Sequence, residues 1–250
     1  QGFTSGNGSA SITYLNSPTP TTFSTSEPTP TNISTSGTIS YSLVLSQSVS
    51  DLATGDFQLG GTSTCGTPGL SGSGTTYTVT LTNCSEGTVI LQLKANSVTG
   101  TSTGPPTVSS ANTVVIDRTN PTIAGVVSVP AGATFIPTNT LTFQIQMSET
   151  VTVTGTPRIA LTVGSTTKYA NYVSGSNSPR LVFTYTVGSD AAEFDADGIS
   201  MVSPLQLNSG SIQDLAANAI STLTYATAST SSVLVAQTPA APTITSITPS

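Results

Sequence analysis

Thr140-Leu141-Thr142-Phe143-Gln144-Ile145-Gln146-Met147 alternates polar and apolar residues, and Thr38-Ile39-Ser40-Tyr41-Ser42-Leu43-Val44-Leu45 follows the same pattern earlier in the chain. A period of two is what a β-strand with one buried face requires, because successive side chains point to opposite sides. The two stretches also match in side-chain class, as Ile39/Leu141, Tyr41/Phe143, Leu43/Ile145 and Leu45/Met147. Just beyond, Ser46/Ser148 and Val49/Val151 are identical. Shared alternation alone can produce four matches, but the offset is one module length, as a tandem array demands.

Working outward, Tyr77, Val79 and Leu81 repeat the period, as do Val89, Leu91 and Leu93 opposite Ile90, Gln92 and Lys94. In the second half Ile159, Leu161 and Val163 alternate, then Leu181, Phe183, Tyr185 and Val187, with shorter apolar pieces at Leu205-Gln206-Leu207 and Ile220 to Tyr225. Clusters of Gly, Ser and Asn separate these runs, and short strands at such spacing predict an all-β sandwich. Tyr41, Phe143, Phe183 and Tyr185 fall on the core-facing side. No segment has helical periodicity; the stretch 214–219 has room only for a turn. The expected organisation is a tail strand of a preceding module over 1–16, one module over 17–118, a second over 119–237, and a linker with the first strand of a truncated module over 238–250. Gln1 is not a natural start, so the chain reads as processed or cropped.

Only 6% of residues are charged, against about 25% in an ordinary soluble domain. Thr and Ser supply the missing polarity, and Thr, being β-branched, suits the solvent face of a strand. The net charge of −6 and five scattered cations (Lys94, Arg118, Arg158, Lys168, Arg180) argue against phosphate or nucleic-acid binding. There is no long apolar run to span a membrane and no visible signal peptide. The absence of His excludes imidazole metal sites and His-dependent acyl transfer. With no Trp and no aromatic cluster beside the acids, glycoside hydrolysis by paired carboxylates is also disfavoured. Gly60-Gly61 and Ser71-Gly72-Ser73-Gly74 precede no helix and so make no phosphate loop.

The stretch from Ser148-Glu149-Thr150-Val151 to Pro157-Arg158-Ile159 resembles a signature of bacterial Ig-like repeats. So do Asp195-Ala196-Asp197-Gly198-Ile199 and the run Gly210-Ser211-Ile212-Gln213-Asp214-Leu215-Ala216-Ala217-Asn218-Ala219. The resemblance covers 119–237; over 38–118 it rests on the turn from Ser46 to Val49, on Gly55-Asp56-Phe57, on the strand within Ser71–Thr82 and on the Asp117 linker. Such repeats occur in very large bacterial surface and secreted proteins, adhesins and biofilm proteins among them. The resemblance implies tandem immunoglobulin-like sandwiches with Greek-key strand order, no catalytic activity, and, in some relatives, Ca²⁺ at module boundaries.

Three groups of residues are candidates for a site. Asp190, Glu193, Asp195 and Asp197 lie within eight residues; with Glu149 or Asp214 they could hold Ca²⁺, which takes about six to eight oxygens, or they could form a solvated turn joining two strands. The first module has Gln47 where the second has Glu149, so a cation site is expected in the second only. Asp117, before a short Pro-containing linker, could share a cation with the neighbouring module, pair with Arg118 or stay solvated. Cys65 and Cys84 read as a disulfide rather than buried thiols, since both lie in turn-like segments flanking one predicted hairpin and the composition points to an oxidising compartment. That bridge is expected to clamp a Gly-rich loop, Gly66 to Gly74, onto the strand from Thr76 to Thr82. Tyr169 and Tyr172, flanking Lys168, are also weighed as an exposed carbohydrate platform.

These features predict an extracellular or cell-surface spacer that contacts adjacent Ig-like modules of its own chain. The alternatives are a subunit of a filament, sheath or surface layer packed on neighbouring chains, and a module binding surface glycan or protein directly.

Overall fold

In the computed structural model Ile39, Tyr41, Leu43 and Leu45 are buried while Ser42 and Ser46 face solvent, so the alternation that marks the first module does become a two-faced strand. The structure describes residues 20–25, 33–94, 97–98 and 113–237. The expected tail strand over 1–16 and the linker and strand over 238–250 lie outside the described residues. The chain divides into two compact units, Gln1–Arg118 and Thr119–Ser250, each with a hydrophobic core of its own.

The first unit contains β1 (Pro20–Thr25), β2 (Ile33–Ser34), β3 (Ile39–Val49), β4 (Phe57–Gly61), β5 (Gly69–Leu81), β6 (Gly87–Leu93) and β7 (Thr113–Ile116). One sheet has the order β1-β3-β5 and is antiparallel. The Pro-rich stretch thus supplies an edge strand, where a missing N–H is tolerated. The other sheet runs β2-β7-β6-β4, with β2 parallel to β7 and the remaining pairs antiparallel. Both sheets turn alternate residues onto one core: Ile39, Tyr41, Leu43, Tyr77, Val79 and Leu81 from the first, Val89, Leu91, Leu93, Val114 and Ile116 from the second. The result is β-sandwich-like. Each such side chain contributes about 1.5–3 kcal/mol when fully buried.

The Gly-rich segment departs from expectation. It is not a loop, because β5 begins at Gly69 and doubles back on itself. A Cβ on Gly69 would lie 3.6 Å from the Thr80 carbonyl oxygen, and one on Gly72 2.9 Å from the Tyr77 Cα. Eleven residues of straight strand would separate Gly69 from Thr80 by about 36 Å. The arms therefore fold together around Ser73 and Gly74, with φ of +101° at Gly72 and +69° at Gly74, a region open to glycine and strained for most other residues. The absent side chains that make this segment look unstructured in the sequence are what allow the arms to approach.

The second unit contains β8 (Ala133–Phe135), β9 (Thr140–Thr154), β10 (Arg158–Val163), β11 (Thr166–Ser174), β12 (Ser178–Thr186), β13 (Ser200–Gln206), β14 (Ser211–Asp214) and β15 (Val233–Val235). A six-stranded antiparallel sheet has the order β13-β10-β11-β12-β9-β14, and β15 pairs parallel with β8. Phe143, Ile145, Ile159, Leu161, Leu181 and Phe183 are completely buried in this core, and Tyr185 joins them with its ring inside. The expected piece at 220–225 is not a strand. Three hydrogen bonds tie its backbone to neighbouring segments: Ile220 N–H donates to Ile212 O, Leu205 N–H donates to Leu223 O, and Tyr225 N–H donates to Ser203 Oγ. Among the described residues no α-helix forms; two 3-10 turns occur, Thr54–Asp56 and Ala191–Glu193. No helix there is long and apolar enough to cross a membrane.

Candidate functional sites

The four clustered acids go to different places. Glu193 ends the 3-10 turn with its side chain buried, and the extended backbone that follows leaves Phe194 exposed and turns Asp195 inward. Asp190 and Asp197 are exposed. Asp190 caps the turn, its Oδ1 accepting from Ala192 N–H at 3.0 Å. Asp195 is buried; its Oδ2 accepts from Gly164 N–H at 2.7 Å, its Oδ1 has no hydrogen-bond partner, and its backbone pairs both ways with Val235.

Glu193 is 3% exposed and holds three donors. Lys168 Nζ lies 2.7 Å from Oε1, Gly188 N–H donates to Oε2 at 2.8 Å, and the Tyr185 hydroxyl donates to the same oxygen. Burial alone would raise the carboxyl pKa, but the hydrogen bonds from Lys168, Tyr185 and Gly188 outweigh it and hold the group below its ordinary value. Tyr185 is pushed the other way, by burial first and by the adjacent carboxylate second.

Glu149 and Asp214 bring carboxylate oxygens within 4.8 Å of each other. Asp214 is buried and both its oxygens are used by Asn218, from the backbone N–H and from Nδ2, each at 2.8 Å. It thus closes the turn that the sequence placed at 214–219. Asp117 is half-buried at the end of the first unit. Its neighbour Arg118 donates through Nε to Thr35 O at 3.0 Å and through Nη2 to Cys84 O at 2.9 Å.

Cys65 and Cys84 form a disulfide across 19 positions. It sits at the open end of the doubled-back segment, where Gly66 N–H donates to Thr82 O at 2.8 Å and Ser85 N–H to Thr64 O at 2.8 Å. The bridge therefore closes the base of a hairpin.

Tyr169 and Tyr172 are both half-buried. The Arg158 guanidinium lies 3.8 Å over the Tyr169 ring, while Tyr172 meets Phe183 edge-on and accepts Ser176 N–H on its hydroxyl. Their rings are used within the sheet.

One polar cavity of about 260 Å³ opens on the outward face of the second unit, lined by Val126, Ser128, Gln144, Gln146 and Arg180. Gln146 and Arg180 are cross-strand partners, as are Gln144 and Val182. Sequence reading missed this group because its members are dispersed over 126–180. The available signal was the register, since Gln144 and Gln146 alternate with Phe143 and Ile145, and Arg180 precedes Leu181.

No protein-family model matches the sequence, and no curated protein matches it.

Proposed function

We propose that the chain is a pair of immunoglobulin-like, Greek-key modules serving as a non-catalytic spacer in a bacterial surface protein of the adhesin type. The observation that carries this reading is that each unit closes a separate core from its own strands. A module that needs no neighbour to fold can be repeated along a chain. The disulfide supports an extracellular location, since such bonds persist in oxidising compartments. The low charge and the Thr- and Ser-rich outward strand faces suit a surface that varies little with ionic conditions.

Light scattering across a range of concentrations tests the reading. A spacer stays monomeric at all of them. A defined oligomer or a growing polymer would replace this reading with a filament, sheath or surface-layer subunit that packs on neighbouring chains.

A further inference from the structure

Four of the five cations are engaged within the fold. Lys94 Nζ donates to Gly55 O, Arg118 to Thr35 O and Cys84 O, Arg158 to Gln206 Oε1 while covering Tyr169, and Lys168 pairs with Glu193. The Arg180 guanidinium meets no partner among the described residues, although the chain carries eleven acids. It lines the one cavity described above, beside the amides of Gln144 and Gln146 and the Ser128 hydroxyl.

We propose that this cavity binds a single carboxylate-bearing sugar residue, a uronic acid or similar acidic monosaccharide. A guanidinium presents paired N–H groups that match a carboxylate two-to-two. Amides and a hydroxyl offer both donors and acceptors, which suits a ring carrying several hydroxyls. Val126, more than half exposed, provides an apolar wall for the ring's C–H face. The volume of about 260 Å³ accommodates one such ring, being near the lower limit of about 300 Å³ for small-molecule pockets.

An acidic peptide is disfavoured by the backbone around the cavity. Gln144 is paired on both sides, with Val182 on β12 and with Ser128 by two hydrogen bonds of 2.9 and 3.0 Å. No open strand edge remains there to hold a peptide main chain. The proposal stands whether or not the chain is a spacer.

Amide chemical shifts of the whole chain, titrated separately with glucuronate, galacturonate and N-acetylneuraminate, test it, with glucose as the uncharged control. At least one acid shifts the amides of Val126, Ser128, Gln144 and Gln146 saturably below about 50 mM, a range that covers a weak millimolar site. Glucose at the same concentrations does not. The exposed Arg180→Gln variant weakens the binding about tenfold or more, as loss of charge-assisted hydrogen bonds requires, and leaves the melting temperature unchanged. The proposal is overturned by no shift with any acid, by equal shifts with glucose, or by full binding in Arg180→Gln. Tighter binding of a hexaglutamate peptide at the same amides would also overturn it.

Discussion

Lys168 and Glu193, on β11 and in the turn after β12, form an ion pair that is wet at one end and dry at the other: the lysine side chain is 28% exposed and the glutamate 3%. Removing the lysine strands a buried carboxylate. Lys168→Met is therefore expected to destabilise the second unit by about 2–3 kcal/mol, below the roughly 3–5 kcal/mol of a fully buried broken pair, because water can reach the lysine's place. Denaturant unfolding of the second-unit transition measures this.

The same carboxylate makes stability depend on acid. Its folded pKa lies below its unfolded value of 4.5. The contribution is therefore complete above pH 4.5 and is lost as pH falls through the folded value. Melting curves taken from pH 6 downward should show the second-unit transition falling in this window, and Glu193→Gln should flatten that fall. An unchanged slope in the variant would assign the acid sensitivity to other carboxylates.

Tyr225 carries the opposite dependence. Burial pushes its pKa up to about 12, while its hydroxyl donates to Val202 O. The folded value is raised, so its contribution is whole below the unfolded value near 10 and is lost as pH rises toward 12. The phenolate absorbance of native protein at pH 11 should be the same in wild type and Tyr225→Phe; a smaller signal in the variant at that pH would contradict the burial.

In the first unit, closing a loop of this size stabilises by about 3 kcal/mol through the unfolded chain. The Cys65→Ala/Cys84→Ala double variant should lower the first-unit transition by that order and leave the second unchanged. Wild-type protein in denaturant without reductant should label at neither cysteine.

Ala217 sits at φ +68° in the Asp214–Asn218 turn, a left-handed conformation that costs a non-glycine residue about 1–2 kcal/mol. Ala217→Gly should stabilise the second unit by up to about 1 kcal/mol, less than the full strain because glycine gains freedom when unfolded. Asp214→Ala should do the reverse by about 1–3 kcal/mol, since it leaves the Asn218 donors without their acceptor.

The strands were legible because a half-buried strand writes its two faces into alternate residues, as Ile39 to Leu45 and Leu141 to Met147 do. The hairpin in β5 was not, because it depends on glycines whose lack of side chain reads as irregular. Neighbourhood in sequence did not give side-chain direction either: of four acids within eight residues, Glu193 at the end of the 3-10 turn and Asp195 beyond it are buried, while Asp190 and Asp197 face solvent. The partner of Glu193 lies on another strand, Lys168, and no local pattern connects them. The Cys65–Cys84 pairing was readable because these are the only two cysteines, both lie in turn-like segments, and the composition points to an oxidising compartment; the fold-back that brings them together was not.

The parallel pairs near the unit ends have a mechanical meaning. β2 lies near the start of the described first unit and pairs parallel with β7 near its end; in the second unit β8 pairs parallel with β15, and Val126 with Ala226. Tension applied through the chain pulls the earlier strand of each pair backward and the later one forward. Strands that run the same way must then slide along each other, so their hydrogen bonds stretch together. Antiparallel partners pulled from one end would open one bond at a time. These parallel pairs therefore meet a tug along the chain in shear, while the antiparallel β1–β3 pair and the Ile123–Met147 bridge, which come earlier in each unit, lie on the same path.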